Sequence, residues 1–344
     1  MSSLIPNFDQ EPWLVAELSG NHGGSLQKAL ELVDAAYESG ANAIKLQTYK
    51  PETITVEARN QNFLIDSGLW KGNFLFDLYK KAMTPWEWHT EINQRAVDKN
   101  LICFSSPFDE TAVDFLEKEI SPPIYKIASF ELNHYPLLKK VGSLGKKVLA
   151  STGVSQSEEI EEAISILKGN GCPEVILMHC VSSYPAEPDE FFLSKIPQMQ
   201  KDFNCKIGLS DHSKGHFIPV LATGLGVKVI EKHLTLDRKD ESIDGAFSLL
   251  PEDFKQMCTN VKKAYDSMGF GRSRNIETTE NVKFKRSILV SKKIESGQVL
   301  NNDNIRIARP NHGMCPSKWE HILGKKVNRR LEVGDPIRIQ DIAD

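Results

Sequence analysis

Two histidines that end neighbouring apolar segments are the residues best suited to metal chemistry in this sequence. His212 ends the segment that begins at Lys206, and His233 ends the segment that begins at Val227. Both segments start with β-forming residues and run into polar ones, as a strand does where it enters a loop. Neutral imidazole is a common ligand of borderline divalent metals. One such histidine alone would be an ordinary hydrogen-bonded side chain, but two at matching strand ends predict a site for Mn, Fe, Co or Zn.

Two lysines in strand-like segments form a second group suited to chemistry. Lys45 and Lys126 would be costly to bury without an anionic partner. Glu17 and Glu131 are the candidate partners, and both are also candidates for proton transfer. Two lysines together with several hydroxyl groups predict a cradle for a phosphate and a carboxylate. A Schiff-base lysine is the rival chemistry, but it requires neither a metal nor hydroxyl groups. The hydroxyl residues are Ser106, Ser129, Ser151 and Thr152.

Eight strand-like segments, each followed by a helical pattern, must position these residues. This number of units, in about the first 270 residues, is that of a TIM (β/α)8 barrel, and a doubly wound open sheet is the alternative. The barrel is favoured because polar residues gather at the end of nearly every strand, where a barrel has its active site. Two of the segments are those that end in histidine, and the other six are Trp13–Leu18, Ala43–Thr48, Leu101–Ser106, Ile124–Ser129, Lys147–Thr152 and Val175–Cys180.

Further polar and aromatic residues follow the predicted strands and should reach the same rim. Because the carboxyl ends of barrel strands lie together, we expect these side chains to bind the substrate. They are Gln47, Phe108, Ser182, Tyr184 and, in the loop after the last strand, Asp244.

A polar insertion follows the second strand. It runs from Tyr49 to about Ala82, which is too long for a plain connection, and we expect a functional loop. Thr84 and Pro85 then indicate the start of a helix, with Thr84 as its N-cap.

The composition changes after the last predicted helix of the barrel. Residues 269–284 are polar and interrupted by glycine, which predicts a linker between a barrel domain at 1–268 and a tail at 285–344. Short strand-like segments in the tail alternate with tight turns at Gly297 and Gly334. The tail is too short for another barrel unit, so it predicts a small β-rich domain.

Composition and charge restrict the class of protein. A hydrophobic content of 40% and a charged content of 26% are typical of a globular chain. The formal net charge of -4 argues against a general nucleic-acid or anionic-membrane surface. No apolar run has the length of a membrane span, and the first residues lack the pattern of a signal peptide. We therefore expect a cytoplasmic protein that binds neither nucleic acid nor membrane.

Seven motifs resemble, in this order along the chain, those of the sialic acid synthase family. The tail motif Ile-Ala-Arg-Pro-Asn-His-Gly-Met at 307–314 resembles that family's antifreeze-like (SAF) domain, so the resemblance covers nearly the whole chain. Each motif alone is weak, but the ordered set is specific. The seven are Glu-Leu-Ser-Gly-Asn-His (17–22), Ile-Lys-Leu-Gln-Thr (44–48), Ser-Ser-Pro-Phe-Asp (105–109), Tyr-Lys-Ile-Ala-Ser (125–129), Ser-Thr-Gly (151–153), Gly-Leu-Ser-Asp-His (208–212) and Glu-Lys-His (231–233).

Within this family, four motifs are most similar to those of the pseudaminic acid synthases. N-acetylneuraminate synthases more often have Glu-Ile-Gly-x-Asn-His and Ser-Thr-Pro-Phe-Asp. Many members have Gly-Pro-Asp after the eighth strand, whereas this chain has Ser242-Ile243-Asp244 and keeps only the aspartate. The four motifs are Glu-Leu-Ser-Gly-Asn-His (17–22), Ala-Met-Thr-Pro-Trp-Glu-Trp-His (82–89), Cys-Phe-Ser-Ser-Pro-Phe-Asp (103–109) and Cys-Val-Ser-Ser-Tyr-Pro-Ala (180–186).

The resemblance implies a reaction and its cofactor. Phosphoenolpyruvate would condense with the open-chain aldehyde of a diacetamido trideoxy-hexose, release phosphate by C–O cleavage and give a nine-carbon 2-keto acid. His212 and His233 would hold a divalent metal, Mn2+ in the first place, with Mg2+ or Co2+ as alternatives. Glu17 would act near the reacting carbons. The lysines and serines of the cradle would hold the phosphate and carboxylate, and Glu131, Tyr184 and Asp244 the N-acetylated amino sugar.

The resemblance also implies an assembly. The tail would dock over the neighbouring barrel in a domain-swapped homodimer, where Arg309 would reach the sugar's amide. The enzyme alternatives are an N-acetylneuraminate or legionaminic acid synthase and, at a greater distance, a lysine-dependent aldolase on the same fold. A sugar-binding barrel that has lost catalysis is the non-enzyme alternative, and the intact set of acid, lysines and histidines argues against it.

Overall fold

Eight parallel strands form one sheet in this computed structural model, which describes residues 6–238, 242–270 and 280–343. Their order in the sheet is β3-β2-β1-β8-β7-β6-β5-β4, and the two end strands β3 and β4 lie next to each other. The strands therefore enclose one interior, as in a (β/α)8 barrel, and the alternative of a doubly wound open sheet was wrong. The strands are β1 Trp13–Glu17, β2 Ala43–Thr48, β3 Ile102–Pro107, β4 Ile124–Ile127, β5 Lys147–Ser151, β6 Val175–Cys180, β7 Lys206–Asp211 and β8 Val229–His233.

Alternation along each strand divides the barrel interior into layers. On β8, Val229, Glu231 and His233 share the interior face, because successive side chains of a strand point to opposite faces. The lower layers are apolar and are closed at the amino end by Phe8, whose ring lies 5.7 Å from that of Trp13. The polar residues of the interior thus lie toward the carboxyl end, where barrel enzymes have their active sites.

Helices cover the outside of the sheet, and apolar residues fill the layer between. Ser25 caps the first helix by accepting from the backbone N–H of Lys28, and Gly40 ends it with a φ of 90°. In the described part of the first unit the α-helices are α1 Leu26–Ser39, α2 Pro51–Ile54, α3 Leu75–Ala82, α4 His89–Asp98, α5 Glu110–Glu119, α6 Tyr135–Gly142, α7 Ser157–Gly169, α8 Ile196–Phe203, α9 Phe217–Gly224 and α10 Pro251–Met268.

The chain divides into two compact units, Met1–Phe270 and Gly271–Asp344. Much of the predicted linker at 269–284 falls on 271–279, which lie outside the described residues. In the second unit, β9 (Ser287–Val290) pairs antiparallel with β10 (Ile305–Ala308), and α11 spans Trp319–Ile322. Its buried aliphatic residues form a core of their own, so the tail is a small β-rich domain as predicted.

None of the helices in the described ranges combines the length and the apolar character that crossing a membrane requires.

Candidate active site

Four charged side chains from four strands meet in the barrel interior near its carboxyl end. They are Glu17 of β1, Lys45 of β2, Lys126 of β4 and Glu231 of β8, and all are almost completely buried. Lys45 Nζ lies 2.7 Å from Glu17 Oε2 and 3.3 Å from Glu231 Oε1, and it donates to Ser106 Oγ at 3.4 Å. Lys126 Nζ donates to both carboxylate oxygens of Glu231, each at 2.9 Å. The two lysines are therefore paired with two carboxylates.

Burial and mutual attraction set the protonation of this charged cluster. Burial raises the pKa of Glu17 to about 7, although Lys45 opposes it. Burial also raises the pKa of Glu231, but Lys126 and Lys45 outweigh it and lower the value to about 2. Burial lowers the pKa of Lys126; for Lys45 it acts in the same direction, but the two carboxylates outweigh it and raise the pKa. Glu17 is thus the member that can exchange a proton near neutral pH.

Glu231 was not among the predicted site residues. Of the two predicted lysine partners, Glu17 pairs with Lys45, whereas Lys126 pairs with Glu231 and not with Glu131. The signal was present in the sequence, because Glu231 precedes His233 by two residues and two residues along a strand share a face. Ser210 of β7 lies on the interior face for the same reason, and its hydroxyl donates to Glu231 Oε1 at 3.2 Å.

Serine hydroxyls from neighbouring strands surround Gly153. A Cβ on Gly153 would lie 2.5 Å from Ser182 Oγ and 3.0 Å from Ser129 Oγ, so a side chain at this position would fill the space between the hydroxyls. Ser151 Oγ is buried and has no hydrogen-bond partner within the described ranges. The Thr152 hydroxyl instead donates to a backbone carbonyl at 3.3 Å. The hydroxyls of Ser182 and Ser129 thus line a narrow space, and the hydroxyl of Ser151 is unpaired among the described residues. Such hydroxyls suit the oxygens of a bound anion.

His212 and His233 lie side by side just past β7 and at the end of β8, with ring centroids 5.4 Å apart. His212 Nδ1 lies 2.9 Å from the carbonyl oxygen of Val181, so its proton belongs on Nδ1 and Nε2 keeps a lone pair. Burial lowers the pKa of both rings, for His212 to about 4, and both are therefore neutral at physiological pH. His233 Nδ1 is buried and has no hydrogen-bond partner among the residues described.

Two neutral imidazoles with available nitrogens fit a divalent metal. In the part of the chain that the structure describes, no group of three or more His, Cys, Asp and Glu side chains is arranged to hold a metal ion. The histidine pair would therefore supply only part of a coordination shell, and water or substrate the rest.

Asp244 connects the histidine pair with the charged cluster. Its Oδ2 lies 3.7 Å from His233 Nδ1 and accepts a hydrogen bond from the Ser19 hydroxyl. Gln47 Nε2 donates to Ser19 Oγ at 3.1 Å and to Glu17 Oε1 at 3.3 Å. Burial raises the pKa of Asp244 to about 6, although Ser19 opposes it. The predicted residues Gln47 and Asp244 are thus brought together with Glu17 in one polar network.

Three rings, Tyr184, Phe247 and Trp70, form an aromatic wall beside the histidines. The Tyr184 ring lies 4.5 Å from that of His212, 5.5 Å from Phe247 and 5.4 Å from Trp70. Trp70 belongs to the insertion after β2, and its indole Nε1 donates to the backbone carbonyl of Ile243 at 3.1 Å. The insertion, which was predicted to be a functional loop because of its length, therefore reaches the candidate site.

Glu131 and Phe108 lie at the rim with fewer polar contacts. Glu131 Oε2 is buried and has no hydrogen-bond partner within 6–238, 242–270 and 280–343, and burial raises the pKa of this carboxyl to about 7. Phe108 packs edge-on against Tyr49, with ring centroids 5.1 Å apart. A buried carboxyl oxygen without a partner suits a hydrogen bond to a substrate.

Arg309 belongs to the second unit and is exposed. No ion pair between described residues includes it. Its predicted contact with a sugar in a neighbouring barrel stays a prediction.

Comparisons with known proteins match both units of the chain. The NeuB family matches residues 32–273, and the SAF domain matches residues 285–343. A pseudaminic acid synthase from Campylobacter jejuni is 39% identical over 97% of this chain and 98% of its own. One from Helicobacter pylori is 38% identical with the same coverage. An N,N'-diacetyllegionaminic acid synthase from Campylobacter jejuni is 33% identical over 94% of this chain and 98% of its own.

Two solved structures share the fold and more than 30% of the sequence. The spore coat polysaccharide biosynthesis protein SpsE of Bacillus subtilis is 31% identical, with a TM-score of 0.67 over 98% of this chain and 96% of its own. The N-acetylneuraminic acid synthetase of Leptospira borgpetersenii, solved in complex with citrate, is 33% identical, with a TM-score of 0.72 over 83% of this chain and 94% of its own.

Proposed function

The chain belongs to the NeuB family, and we propose that it is a pseudaminic acid synthase. It is a transferase-type sugar acid synthase that condenses phosphoenolpyruvate with an amino sugar. The proposed sugar is 2,4-diacetamido-2,4,6-trideoxy-L-altrose, and the products are pseudaminic acid and phosphate. Identities of 39% and 38% to two pseudaminic acid synthases, against 33% to a legionaminic acid synthase, support this choice of sugar. Legionaminic or N-acetylneuraminic acid synthesis is the second candidate.

The observation that carries the proposal is the charged cluster, which lies among the strand-end serines and beside two neutral histidines. Phosphoenolpyruvate presents a phosphate and a carboxylate, which suit Lys45, Lys126 and the hydroxyls of Ser106, Ser129 and Ser151. Holding both anionic groups before the reaction lowers its entropic barrier. A lysine free to form a Schiff base would not need two carboxylate partners, so this arrangement favours phosphoenolpyruvate over aldolase chemistry.

The protonation of Glu17 adapts the cluster to its substrate. With Glu17 and Glu231 both ionised, the cluster of two lysines and two carboxylates has no net positive charge to attract a polyanion. Because burial has already raised the pKa of Glu17 to about 7, an incoming anion raises it further and favours the protonated acid. A proton on Glu17 leaves one net positive charge in the cluster and places an acid near the reacting carbons.

The histidine pair is proposed to hold Mn2+, with Mg2+ or Co2+ as alternatives. When bound there, the metal would act as a Lewis acid on the aldehyde oxygen of the sugar. His212 contributes Nε2, because its Nδ1 proton is held by the carbonyl of Val181.

Bond formation and phosphate loss then follow in order. The methylene carbon of phosphoenolpyruvate attacks the aldehyde carbon, and positive charge develops at C2 of phosphoenolpyruvate. Water adds to C2, and the tetrahedral intermediate breaks its C–O bond to phosphate, so the new keto oxygen comes from water. Glu17 and Glu131 can each exchange a proton near neutral pH, since burial raises the pKa of each to about 7. Their roles are proton transfer and stabilisation of charge at the reacting carbons.

The sugar would lie between the aromatic wall and the network of Asp244. Tyr184 offers an apolar ring with a polar end, while Gln47 and Asp244 offer hydrogen bonds to hydroxyl or amide groups. A 6-deoxy sugar ends in a methyl group, which loses nothing by contact with the wall, whereas a hydroxymethyl group would lose hydrogen bonds to water. The homodimer and the contact of Arg309 with the sugar belong to the same proposal.

Phosphate release with each candidate sugar, with and without a chelator, tests this proposal. We expect phosphate release with the diacetamido trideoxy-altrose and loss of activity in the chelator. The kcat/KM for N-acetylmannosamine should be at least about 100-fold lower, which corresponds to about 3 kcal/mol of transition-state discrimination. Equal kcat/KM for the two sugars would overturn the substrate assignment. Full activity after removal of all metal would overturn the role of the histidine pair.

A further inference from the structure

A buried lysine lies behind the histidine pair, on the opposite face of the sheet. Lys232 alternates with Glu231 and His233 along β8, so its side chain leaves the barrel interior and lies between the sheet and the helices. Lys232 and its partner Asp211 are 0% and 1% exposed. No step of the proposed reaction uses either of them, yet a buried charge pair is retained beside both histidines.

The contacts of Lys232 cross from one histidine strand to the other. Its Nζ lies 2.7 Å from Asp211 Oδ2 and donates to the backbone carbonyl of Ser213, with the Ser213 hydroxyl at 3.4 Å. Asp211 Oδ1 in turn accepts from the backbone N–H of Ser213 at 2.8 Å. The residues before and after His212 are therefore both held by the residue before His233. We name Asp211, Ser213 and Lys232 the Lys232 clamp.

The backbone carbonyl groups of the two histidines are also fixed. The N–H of Ala186 donates to the His212 carbonyl at 3.1 Å, and the N–H of Leu249 donates to the His233 carbonyl at 2.9 Å. The connection between β7 and β8 at their ends links the two histidine positions directly. Asp211 and Lys232 are register partners in that pairing, and the last ones, so the clamp acts where the ladder stops.

We propose that Asp211 and Lys232 are positioning residues, which hold His212 and His233 at the separation that divalent-metal binding requires. The inference rests on the metal site of the proposed function. A compact, flexible connection would satisfy the fold, but two ligands on separate strands bind a metal tightly only if their separation is fixed in advance. An ion pair in a dry layer is directional and specific, which an apolar pair at the same place would not be.

The variants must separate positioning from stability. Lys232→Met alone would leave Asp211 as an unpaired buried charge, so the main variant is Asp211→Asn/Lys232→Met, which removes both charges and keeps an oxygen for the Ser213 N–H. Asp211→Asn alone is the second variant. It leaves the buried lysine without its anionic partner but keeps the bond of Lys232 to the Ser213 carbonyl. The matched control is Lys147→Met. Lys147 likewise holds one carboxylate, Glu174 at 2.9 Å, and one backbone carbonyl, Pro6 at 3.2 Å, but at the amino end of the barrel.

The measurement is Mn2+ affinity of the substrate-free protein by electron paramagnetic resonance, with the Co2+ absorption spectrum as a second signature. We expect the double variant to bind Mn2+ about 10- to 100-fold more weakly and to shift the Co2+ bands, the single variant to show a smaller loss, and Lys147→Met to bind like the unmodified protein. Saturating Mn2+ should restore turnover without a change in KM for phosphoenolpyruvate.

An unchanged Mn2+ affinity in Asp211→Asn, or in the folded double variant, would overturn the inference while leaving the proposed function intact. An equal loss in Lys147→Met would also overturn it, since the effect would then be one of stability. Absence of Mn2+ and Co2+ binding in the unmodified protein would remove the metal site itself, and the inference with it.

Discussion

In the proposed reaction, Glu17 links the binding of phosphoenolpyruvate to proton transfer. Its pKa of about 7 comes from burial, and Lys45 only partly offsets it. A phosphate monoester is fully ionised above about pH 7. Above that pH, binding of phosphoenolpyruvate therefore requires the uptake of a proton by Glu17. We expect the Kd of phosphoenolpyruvate to rise with pH above neutrality, by up to about tenfold per unit.

Glu17→Gln tests this dependence, because the amide is neutral at every pH. Its Kd for phosphoenolpyruvate should lose the slope above neutrality, while kcat falls by about 10²- to 10⁴-fold through loss of the proton donor. Binding by calorimetry and turnover by phosphate release give the two quantities. A slope that persists in the variant would place the recruited proton on another group.

Glu131 should make the folded protein sensitive to pH in the opposite sense to an ion-paired carboxylate. Burial raises its pKa from 4.5 to about 7, so the folded state binds this proton more tightly than the unfolded chain. The stabilising contribution is present below about pH 4.5 and is lost as the pH rises through about 7. Glu131→Gln should thus be more stable than the unmodified protein near pH 8, by about 1 to 3 kcal/mol, and equal to it near pH 4.

Thermal or urea unfolding of the two proteins at both pH values gives this comparison. A stability difference of the same size at both pH values would mean that ionisation of Glu131 does not destabilise the folded protein. Sugar binding should weaken in the same variant, because a buried carboxyl that lowers stability is expected to serve function instead.

At the residue scale, the sequence predicted positions better than partners. The adjacency of His212 and His233 followed from two strands with matching ends, and it is confirmed. The pairing of Lys126 was missed because Glu231 lies far from it in the sequence, and only the closed strand order brings β8 across the barrel from β4. Periodicity of two along β8 could have placed Glu231 inside, but not opposite a particular lysine.

At the scale of elements, the strands were predicted more reliably than the connections between them. Ala43–Thr48 and Val175–Cys180 were predicted with the observed bounds, because buried parallel strands are short, apolar and β-branched. The expected helix start at Thr84 was wrong. A 3-10 turn at Trp86–Trp88 precedes α4, and the Thr84 hydroxyl lies 3.3 Å from His22 Nε2 instead of capping the helix. Tertiary contact outweighed a local capping pattern there.

Trp70, in the insertion after β2, contacts the candidate site, and its contribution can be tested. Trp70→Phe keeps a ring against Tyr184 but removes the indole N–H that binds the Ile243 carbonyl, next to Asp244. A lost hydrogen bond of about 0.5 to 1.5 kcal/mol should raise the KM for the sugar about 2- to 13-fold, with little change for phosphoenolpyruvate.

Trp86→Phe is the matched control for this change. Its indole N–H also donates to a backbone carbonyl, that of Tyr49 at 3.0 Å, but its ring packs against Phe115 of α5. We expect no change in the KM for the sugar. Equal effects of the two substitutions on that KM would show that the insertion does not hold Asp244 specifically.

For the whole molecule, the fold class and the β-rich tail could be predicted from the sequence, whereas the oligomeric assembly could not. Eight units in about 270 residues indicated the barrel, and the relatives confirm barrel and SAF domain together. A separate β-rich unit with its own core carries no information about which barrel it would contact.

Mixed dimers test the predicted exchange of tails. Arg309→Ala and Glu17→Ala are each expected to be weakly active or inactive alone. If Arg309 completes the site of the partner chain, a mixed dimer has one site with both defects and one with neither. Each mixed dimer should then have about half of the activity of an unmodified dimer. No recovery, with subunit exchange demonstrated by mass spectrometry, would assign Arg309 to its own barrel or to neither.

The most direct test of the central claim is the fate of the bridging oxygen of phosphoenolpyruvate. Phosphoenolpyruvate carries heavy oxygen at the position between C2 and phosphorus, and 2,4-diacetamido-2,4,6-trideoxy-L-altrose is the acceptor. The masses of both products are measured by mass spectrometry. The account predicts a nine-carbon keto acid without label and phosphate that carries it, because water supplies the keto oxygen and the C–O bond breaks. Label retained in the sugar acid, or release of phosphate without a nine-carbon product, would contradict it.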